Sequence, residues 1–245
     1  MITLPELAHY STDFPDPAQA LTEPNGLLAF GGDLSVERLE NAYRRGIFPW
    51  FSANEPILWW SPDPRGVLPL DALYISKTTR KWLNKSQHSI TINHAFDAVI
   101  TACAAIPRGP IVHDDGSIVE NGTWITQTMV NAYQSLHKAK LAHSIEIWDP
   151  SGQLVGGLYG IGLNGVFCGE SMFHTQANTS KLAFIALVHH MQQYNGAFID
   201  CQMQNPYLAS MGVIEVSRHD YLKQLHSATD MVMPSDMWQP QGIIL

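Results

Sequence analysis

At 245 residues the chain is long enough for one large domain or two smaller ones. No apolar run nears the ~18 residues that span a bilayer, and the start, MITLPELAHYSTDFPDP, lacks the basic and apolar regions of a signal peptide. A formal net charge of −8 excludes a uniformly basic nucleic-acid binder, and three cysteines without C-x-x-C spacing (Cys103, Cys168, Cys201) exclude a disulfide framework and fit buried thiols in a reducing cytoplasm.

From the N-terminus, residues 1–20 read as an irregular arm with several prolines. Leu34–Arg45 is expected to form a short helix, capped by Ser35 and ended by Gly46. The tract Tyr43–Arg65 (YRRGIFPWFSANEPILWWSPDPR) is broken by Pro49, Pro56, Pro62 and Pro64. Proline fixes φ and removes a donor, so no long helix or central strand is expected through it. A boundary near Val67–Tyr74 divides an N-terminal domain, residues 1–70, from a second, residues 71–245. The second opens with a helix at Ser76–Asn84 with Ser76 as N-cap, a strand at Ser89–Asn93 and a helix at Phe96–Ala104. The polar, Gly/Pro-interrupted segment 107–121 reads as a surface loop. A helix at Gln127–Lys138 follows, then strands at Ala142–Asp149, at Leu154–Ile161 and within Leu163–Phe173. An apolar helix at Ser180–Tyr194, a strand at Phe198–Cys201, a short helix at Pro206–Met211 and a last strand at Gly212–Ser217 complete an α+β order.

Two stretches carry chemistry in their composition. The proline-rich tract holds Tyr43, Phe48, Trp50, Phe51, Trp59 and Trp60 beside Arg44, Arg45 and Arg65. Flat rings on a stiff, irregular backbone suit stacking on a nucleobase, although any one of them can instead plug a core. Lys77, Arg80, Lys81 and Lys85 fall at i, i+3, i+4 and i+8 on the helix that Ser76 begins. This is either a solvated face or, in so acidic a chain, the natural seat for RNA phosphates.

Several segments occur in a telling order across residues 13–222. They are EPNGLLAFGGDLS at Glu23–Ser35, YRRGIFPWF, LWWSPDPR, GTWIT at Gly122–Thr126, HSIEIW at His143–Trp148, LVGGLYG at Leu154–Gly160, FCGESMF at Phe167–Phe173 and IDCQ at Ile199–Gln202. In these the chain resembles the leucyl/phenylalanyl-tRNA–protein transferases. The resemblance implies a small N-terminal α+β domain followed by a domain like the GCN5-related N-acetyltransferases. It implies a cytoplasmic monomer without metal or organic cofactor. The activity implied is transfer of leucine or phenylalanine, with methionine a further donor, from aminoacyl-tRNA to an N-terminal Arg or Lys of a protein, marking it for N-degron degradation. Ester aminolysis of this kind needs positioning, proton removal and stabilisation of an oxyanion.

The resemblance also implies roles. Asp200 and Gln202, two apart on a strand and so on one face, fall where the family handles the proton of the acceptor amine. Glutamine does not titrate near neutrality, so its carbonyl is expected to accept from the amine while Asp200 holds its NH2. Glu170 in CGES is expected to hold a cationic amine, of donor or acceptor. Leu158, Phe167, Phe184, Leu187, Met191 and Ile199 match the walls of the aminoacyl side-chain pocket, and Trp50 and Trp124 the tryptophans that hold the 3′-terminal adenosine. Lys77, Arg80, Lys81 and Lys85 are expected on the tRNA phosphates. Tyr207 stands where the family commonly has His, and Leu187 and Met191 where it more often has Phe.

Three rival readings remain. A CoA-dependent N-acetyltransferase needs a glycine turn before its central helix, and HTQANTSKLAF at His174–Phe184 has no glycine. A non-catalytic tRNA- or peptide-binding module leaves the joint retention of Asp200, Gln202 and Glu170 without a purpose. A Cys–His hydrolase using Cys168 or Cys201 lacks a nucleophile elbow.

Overall fold

The computed structural model describes residues 4–106, 111–112, 118–119 and 123–245. The first part contains β1 (Glu6–Leu7), β2 (Leu27–Gly31), α1 (Val36–Arg44), β3 (Phe48–Pro49), β4 (Leu58–Trp60) and β5 (Arg65–Pro69). Next come α2 (Lys77–Leu83), β6 (Ser89–Ile92), α3 (Phe96–Ala105), β7 (Ile111–Val112), β8 (Ile118–Val119) and α4 (Gln127–Lys138). The remainder is β9 (Ala142–Trp148), β10 (Leu154–Leu163), β11 (Val166–His174), α5 (Thr179–Gln193), β12 (Phe198–Gln202), α6 (Pro206–Ala209), β13 (Ile214–Val216), α7 (Arg218–Thr229) and β14 (Gln241–Gly242).

Helix starts follow their caps. Ser35, Ser76 and Thr126 accept the N–H of Arg38, Thr79 and Met129, as an N-cap side chain should. Ala95 gives α3 no such side chain, and the Glu146 carboxylate of β9 instead accepts the N–H groups of the two residues before the helix, His94 and Ala95, at 3.3 Å each. Gly46 ends α1 at φ +71°, where a Cβ would lie 2.7 Å from the Tyr221 ring.

A small sheet runs in the order β1-β2-β4-β3, and a large mixed sheet in the order β13-β5-β12-β11-β10-β9-β6-β14. Apolar side chains collect on both faces of the large sheet. Leu39, Val99, Met129, Tyr133 and Tyr221 from α1, α3, α4 and α7 join one cluster, which also takes in Trp59 of the small sheet. Leu182, Phe184, Leu187 and Met191 of α5 join the other, with Trp82 and Leu83 of α2 packed on it. α5 is apolar around most of its circumference because most of that circumference is buried.

The structure corrects the reading of the aromatic tract in two respects. Tyr43, Phe48 and Trp59 are at most 3% exposed and belong to the core, so only Trp50, Phe51 and Trp60 of that set reach the surface. Arg45 donates to the carbonyls of Phe14 and Pro15, and Arg65 is fully buried, so neither is available beside an exposed ring. Helix α7 and strands β1 to β5, β7, β8 and β14 were not expected from the sequence, and β4, within the proline-broken tract, is an interior strand of the small sheet. β5 starts at Arg65, the last residue of the tract, and lies inside the large sheet between β13 and β12, bounded by Pro64 and Pro69. The expected loop at 107–121 lies outside the described residues, apart from the antiparallel pair β7–β8.

Candidate active site

The site arises where two strands part. β11 and β12 are parallel neighbours only from Val166–Cys168 against Phe198–Asp200. Beyond that, β11 continues to His174, while Gln202 pairs with Gly66 of β5 after a register slip. Gln202 adopts a left-handed φ of +60°, uncommon for a residue with a Cβ. The gap between the strands opens into a cavity of about 490 Å³.

Leu158, Phe167, Phe184, Leu187 and Ile199 line this cavity, joined by Met172 and Leu208. Glu170 and Gln202 face it too, and Trp50 and Trp124 flank it. Trp50 is 41% exposed, and its ring meets Trp60 edge-on at 5.5 Å. The Trp60 indole donates to the Trp50 carbonyl at 2.7 Å, holding that loop. The fold thus gathers five of the six expected pocket residues, both tryptophans, Glu170 and Gln202 in one place. Met191 is the exception. It is fully buried away from the cavity wall, beside Gly196.

Asp200 also departs from expectation. It is wholly buried, and its carboxylate is gripped by Arg65, Nε to Oδ1 at 2.8 Å and Nη2 to Oδ2 at 2.7 Å. The Tyr221 hydroxyl donates to Oδ2 at 2.8 Å, and the backbone N–H of Gln202 to Oδ1 at 2.9 Å. Asp200 therefore does not hold the Gln202 amide. Glu170 does: Gln202 Nε2 donates to Glu170 Oε1 at 2.9 Å across the gap. The Tyr133 hydroxyl donates to Glu170 Oε2 at 2.8 Å, and Tyr43 bonds the Tyr133 hydroxyl in turn. With its NH2 turned to Glu170, the Gln202 amide presents its carbonyl as an acceptor.

The electrostatics separate the two carboxyls. Burial raises the Glu170 pKa to about 7, against the opposing pull of the tyrosine hydroxyls. Burial alone would raise Asp200 as well, but the Arg65 charge and the hydrogen bonds around the carboxylate outweigh it and hold Asp200 below the usual range. Arg65 is completed by a bond from Nη1 to the Gly46 carbonyl at 3.1 Å and by the Phe48 and Tyr221 rings at 4.9 and 4.5 Å. Burial pushes the Cys201 thiol and Tyr207 hydroxyl of the cavity wall upward, so neither ionises near neutrality.

Lys77, Arg80, Lys81 and Lys85 are all exposed, and no ion pair among the described residues engages them. They are not at the cavity; α2 packs with the α5 cluster, and Lys85 falls beyond its last turn. Sequence reasoning missed Arg65, Tyr43, Tyr133 and Tyr221 as supports of the site. Tyr133 lies on a helix whose apolar spacing reads as core, Tyr221 lies on a helix that the sequence did not announce, and Arg65 sits 135 residues from its partner.

Comparison with known proteins points the same way. Residues 67–226 match the family described as leucyl/phenylalanyl-tRNA protein transferase, and residues 32–63 match its N-terminal domain. The leucyl/phenylalanyl-tRNA–protein transferase of Tolumonas auensis is 53% identical over 95% of this chain and 94% of its own length. That of Pseudoalteromonas atlantica is 54% identical over 95% of each. Among solved structures, L-PGS from Bacillus licheniformis is loosely similar, with a TM-score of 0.38 at 11% identity over 69% of this chain and 51% of that one. Among the described residues no helix is long and apolar enough to cross a membrane.

Proposed function

The chain belongs to the leucyl/phenylalanyl-tRNA–protein transferase family, and from that premise we propose how its cavity carries out tRNA-dependent aminoacyl transfer to proteins. The observation that carries the reading is the Gln202 amide, fixed by Glu170 at the edge of an apolar cavity flanked by Trp50 and Trp124. The donor's leucyl or phenylalanyl side chain fills the space between Leu158, Phe167, Phe184, Leu187 and Ile199, with methionyl a further candidate. Its ester carbonyl then lies towards Gln202, and the 3′-terminal adenosine rests against the tryptophan rings, a contact worth ~1–3 kcal/mol per base.

The acceptor is an N-terminal Arg or Lys residue. Its α-amine has an ordinary pKa of about 7.7–8.0, so part of it arrives neutral. The Gln202 carbonyl accepts a hydrogen bond from that amine and aims its lone pair at the ester carbon. The N–C bond forms, the amine proton passes to the Glu170 carboxylate, and the C–O bond to the ribose breaks. The departing 3′-oxygen takes the proton back, leaving Glu170 as it began. Glu170 suits this because its pKa lies near the working pH. Asp200 positions rather than reacts: it draws the Gln202 backbone N–H into the left-handed turn that aims the side chain.

We read the large sheet, with β11 and β12 parting around the site and α5 connecting them, as an acyltransferase domain of the GCN5-related type. The N-terminal unit, expected over residues 1–70, supplies Trp50 from the loop after β3, and its last strand, β5, belongs to the large sheet. In this reading the protein acts as a cytoplasmic monomer, its products are directed to degradation, and the α2 cations contact tRNA phosphates. The direct test is transfer of radiolabelled leucine from charged tRNA to a peptide beginning with Arg, beside an Ala-starting control. Label on the Arg peptide alone is expected; tRNA binding without transfer to either peptide refutes the reading.

A further inference from the structure

The cations of this chain are unevenly distributed. Arg38, Arg45, Arg65 and Arg218 are spent on carbonyls and carboxylates within the fold. The other Lys and Arg side chains among the described residues gather in two places, apart from Lys181 and Lys223. One is α2. The other is a cleft of about 560 Å³ between the C-terminal ends of α1 and α4 and the segment 233–240. Arg44, Lys138, Lys140 and His137 line it, and no carboxylate does, although the chain holds 22 acids. Arg44 is held by Glu40 at 2.9 Å, while Lys138 and Lys140 are exposed and in no ion pair among the described residues. Lys140 occupies the left-handed position after the α4 cap, φ +63°, where glycine is usual. The cleft's wall is stiff, because the Trp238 ring stacks on His143 at 4.4 Å and 6°.

Position connects this cleft to the transfer site. Trp124 lies just before α4, and α4 spans 12 residues, about 18 Å at 1.5 Å per residue. Trp124 and α4 pack with the same core cluster, while the apolar walls of the transfer cavity and the Met233 and Trp238 side of the cleft pack with the other. A tRNA whose 3′-adenosine rests on Trp50 and Trp124 therefore has the α4 cleft about one length of that helix away.

We propose that the cleft at the C-terminal end of α4 binds backbone phosphates of the donor tRNA, with Lys138 and Lys140 as the principal contacts; this rests on the transferase reading above. The two lysines follow the phosphodiester chain by charge and carry no base readout.

The test is Lys138→Ala/Lys140→Ala in the full chain. Binding of leucyl-tRNA is measured at several salt concentrations, and transfer is measured from both leucyl-tRNA and 3′-leucyl-adenosine, which lacks the phosphates. Each phosphate contact adds ~0.7–0.9 to the salt slope, so the double variant should lose about 1.5 from it and bind tRNA several-fold more weakly at low salt. Transfer from leucyl-adenosine should be unchanged, and Lys138→Arg/Lys140→Arg should restore the slope. An unchanged slope and affinity, with wild-type transfer intact, overturns the cleft and leaves the transferase standing. Equal loss on both donors overturns it too, since phosphate binding cannot explain that. No transfer by the wild type from either donor sinks the transferase reading itself.

Discussion

Arg65 and Asp200 face each other as a fork on a carboxylate, with both nitrogen–oxygen distances below 2.9 Å and neither side chain more than 1% exposed. Charge pairs so dry are costly to break from one side, because the remaining ion has neither water nor partner. The pair ties β5 to β12 and, through the Gln202 N–H, fixes the turn from which Gln202 reaches Glu170.

Asp200→Ala should therefore destabilise the protein by about 3–5 kcal/mol, read as a lower urea midpoint. Loss of activity in this variant will accompany loss of stability. A variant with wild-type stability and a large fall in kcat would instead make Asp200 a reacting group.

Gln202→Ala takes one donor from the buried Glu170 carboxylate, leaves it the Tyr133 hydroxyl, and should lower kcat by about 100-fold or more. Its affinity for charged tRNA should stay within a few-fold of wild type. Filter binding and single-turnover transfer separate the two, and a parallel loss of tRNA binding would assign Gln202 to donor binding.

Glu170 should impose a pH dependence. Its carboxylate is the working form, so it is expected to add an ascending limb to kcat/KM near pH 7, below the limb that the acceptor amine gives at about 7.7–8.0. Glu170→Gln should remove that ascending limb. Stability runs the other way for this group. A folded-state pKa above the unfolded value means that the folded protein holds the proton more tightly, so stability present near pH 4 declines as pH rises through about 7. Asp200 has the opposite sign: its contribution is present above the unfolded pKa and is lost as acid protonates it below its depressed value. Denaturation at pH 5 and pH 8, with and without Glu170→Gln, measures the first effect.

The pocket makes a contrast between neighbours on α5. Leu187→Phe narrows the cavity and should shift the Leu/Phe donor ratio towards leucine by roughly 10-fold, within the range set by single apolar contacts. Met191→Ala, off the cavity wall, should cost about 2–5 kcal/mol of stability and barely move that ratio. Competition between the two charged tRNAs reads the first; thermal unfolding reads the second.

Neutralising Lys77, Arg80, Lys81 and Lys85 together should flatten the salt dependence of tRNA binding by about 3 in log–log slope. Unchanged binding would leave α2 as a solvated face.

Much of the fold was legible in local pattern. Gln127–Lys138 was readable end to end because a threonine cap, an apolar face and a basic last turn agree. Strands β9, β10 and β12 announced themselves by apolar runs between turns. Helix α7 was not read, although Ser217 followed by Asp220 is a cap signature, because its apolar residues are sparse. Trp50 and Trp59 look alike in sequence, yet one is at the surface and the other fully buried, since nothing local says which way a proline-broken loop turns its rings.

Taken alone, the sequence determined most of the α+β order through short-range periodicity and caps, and through contiguous motifs the family resemblance, which in turn named most of the residues around the cavity. Only the tertiary structure decided which of those residues touch. Arg65, not Gln202's amide, answers Asp200; Glu170 answers Gln202; Met191 leaves the pocket wall. The reason is that a buried charge must find its counter-ion through space. That choice is made by how β5, β11 and β12 pair and part, and it leaves no mark on the spacing of residues along the chain.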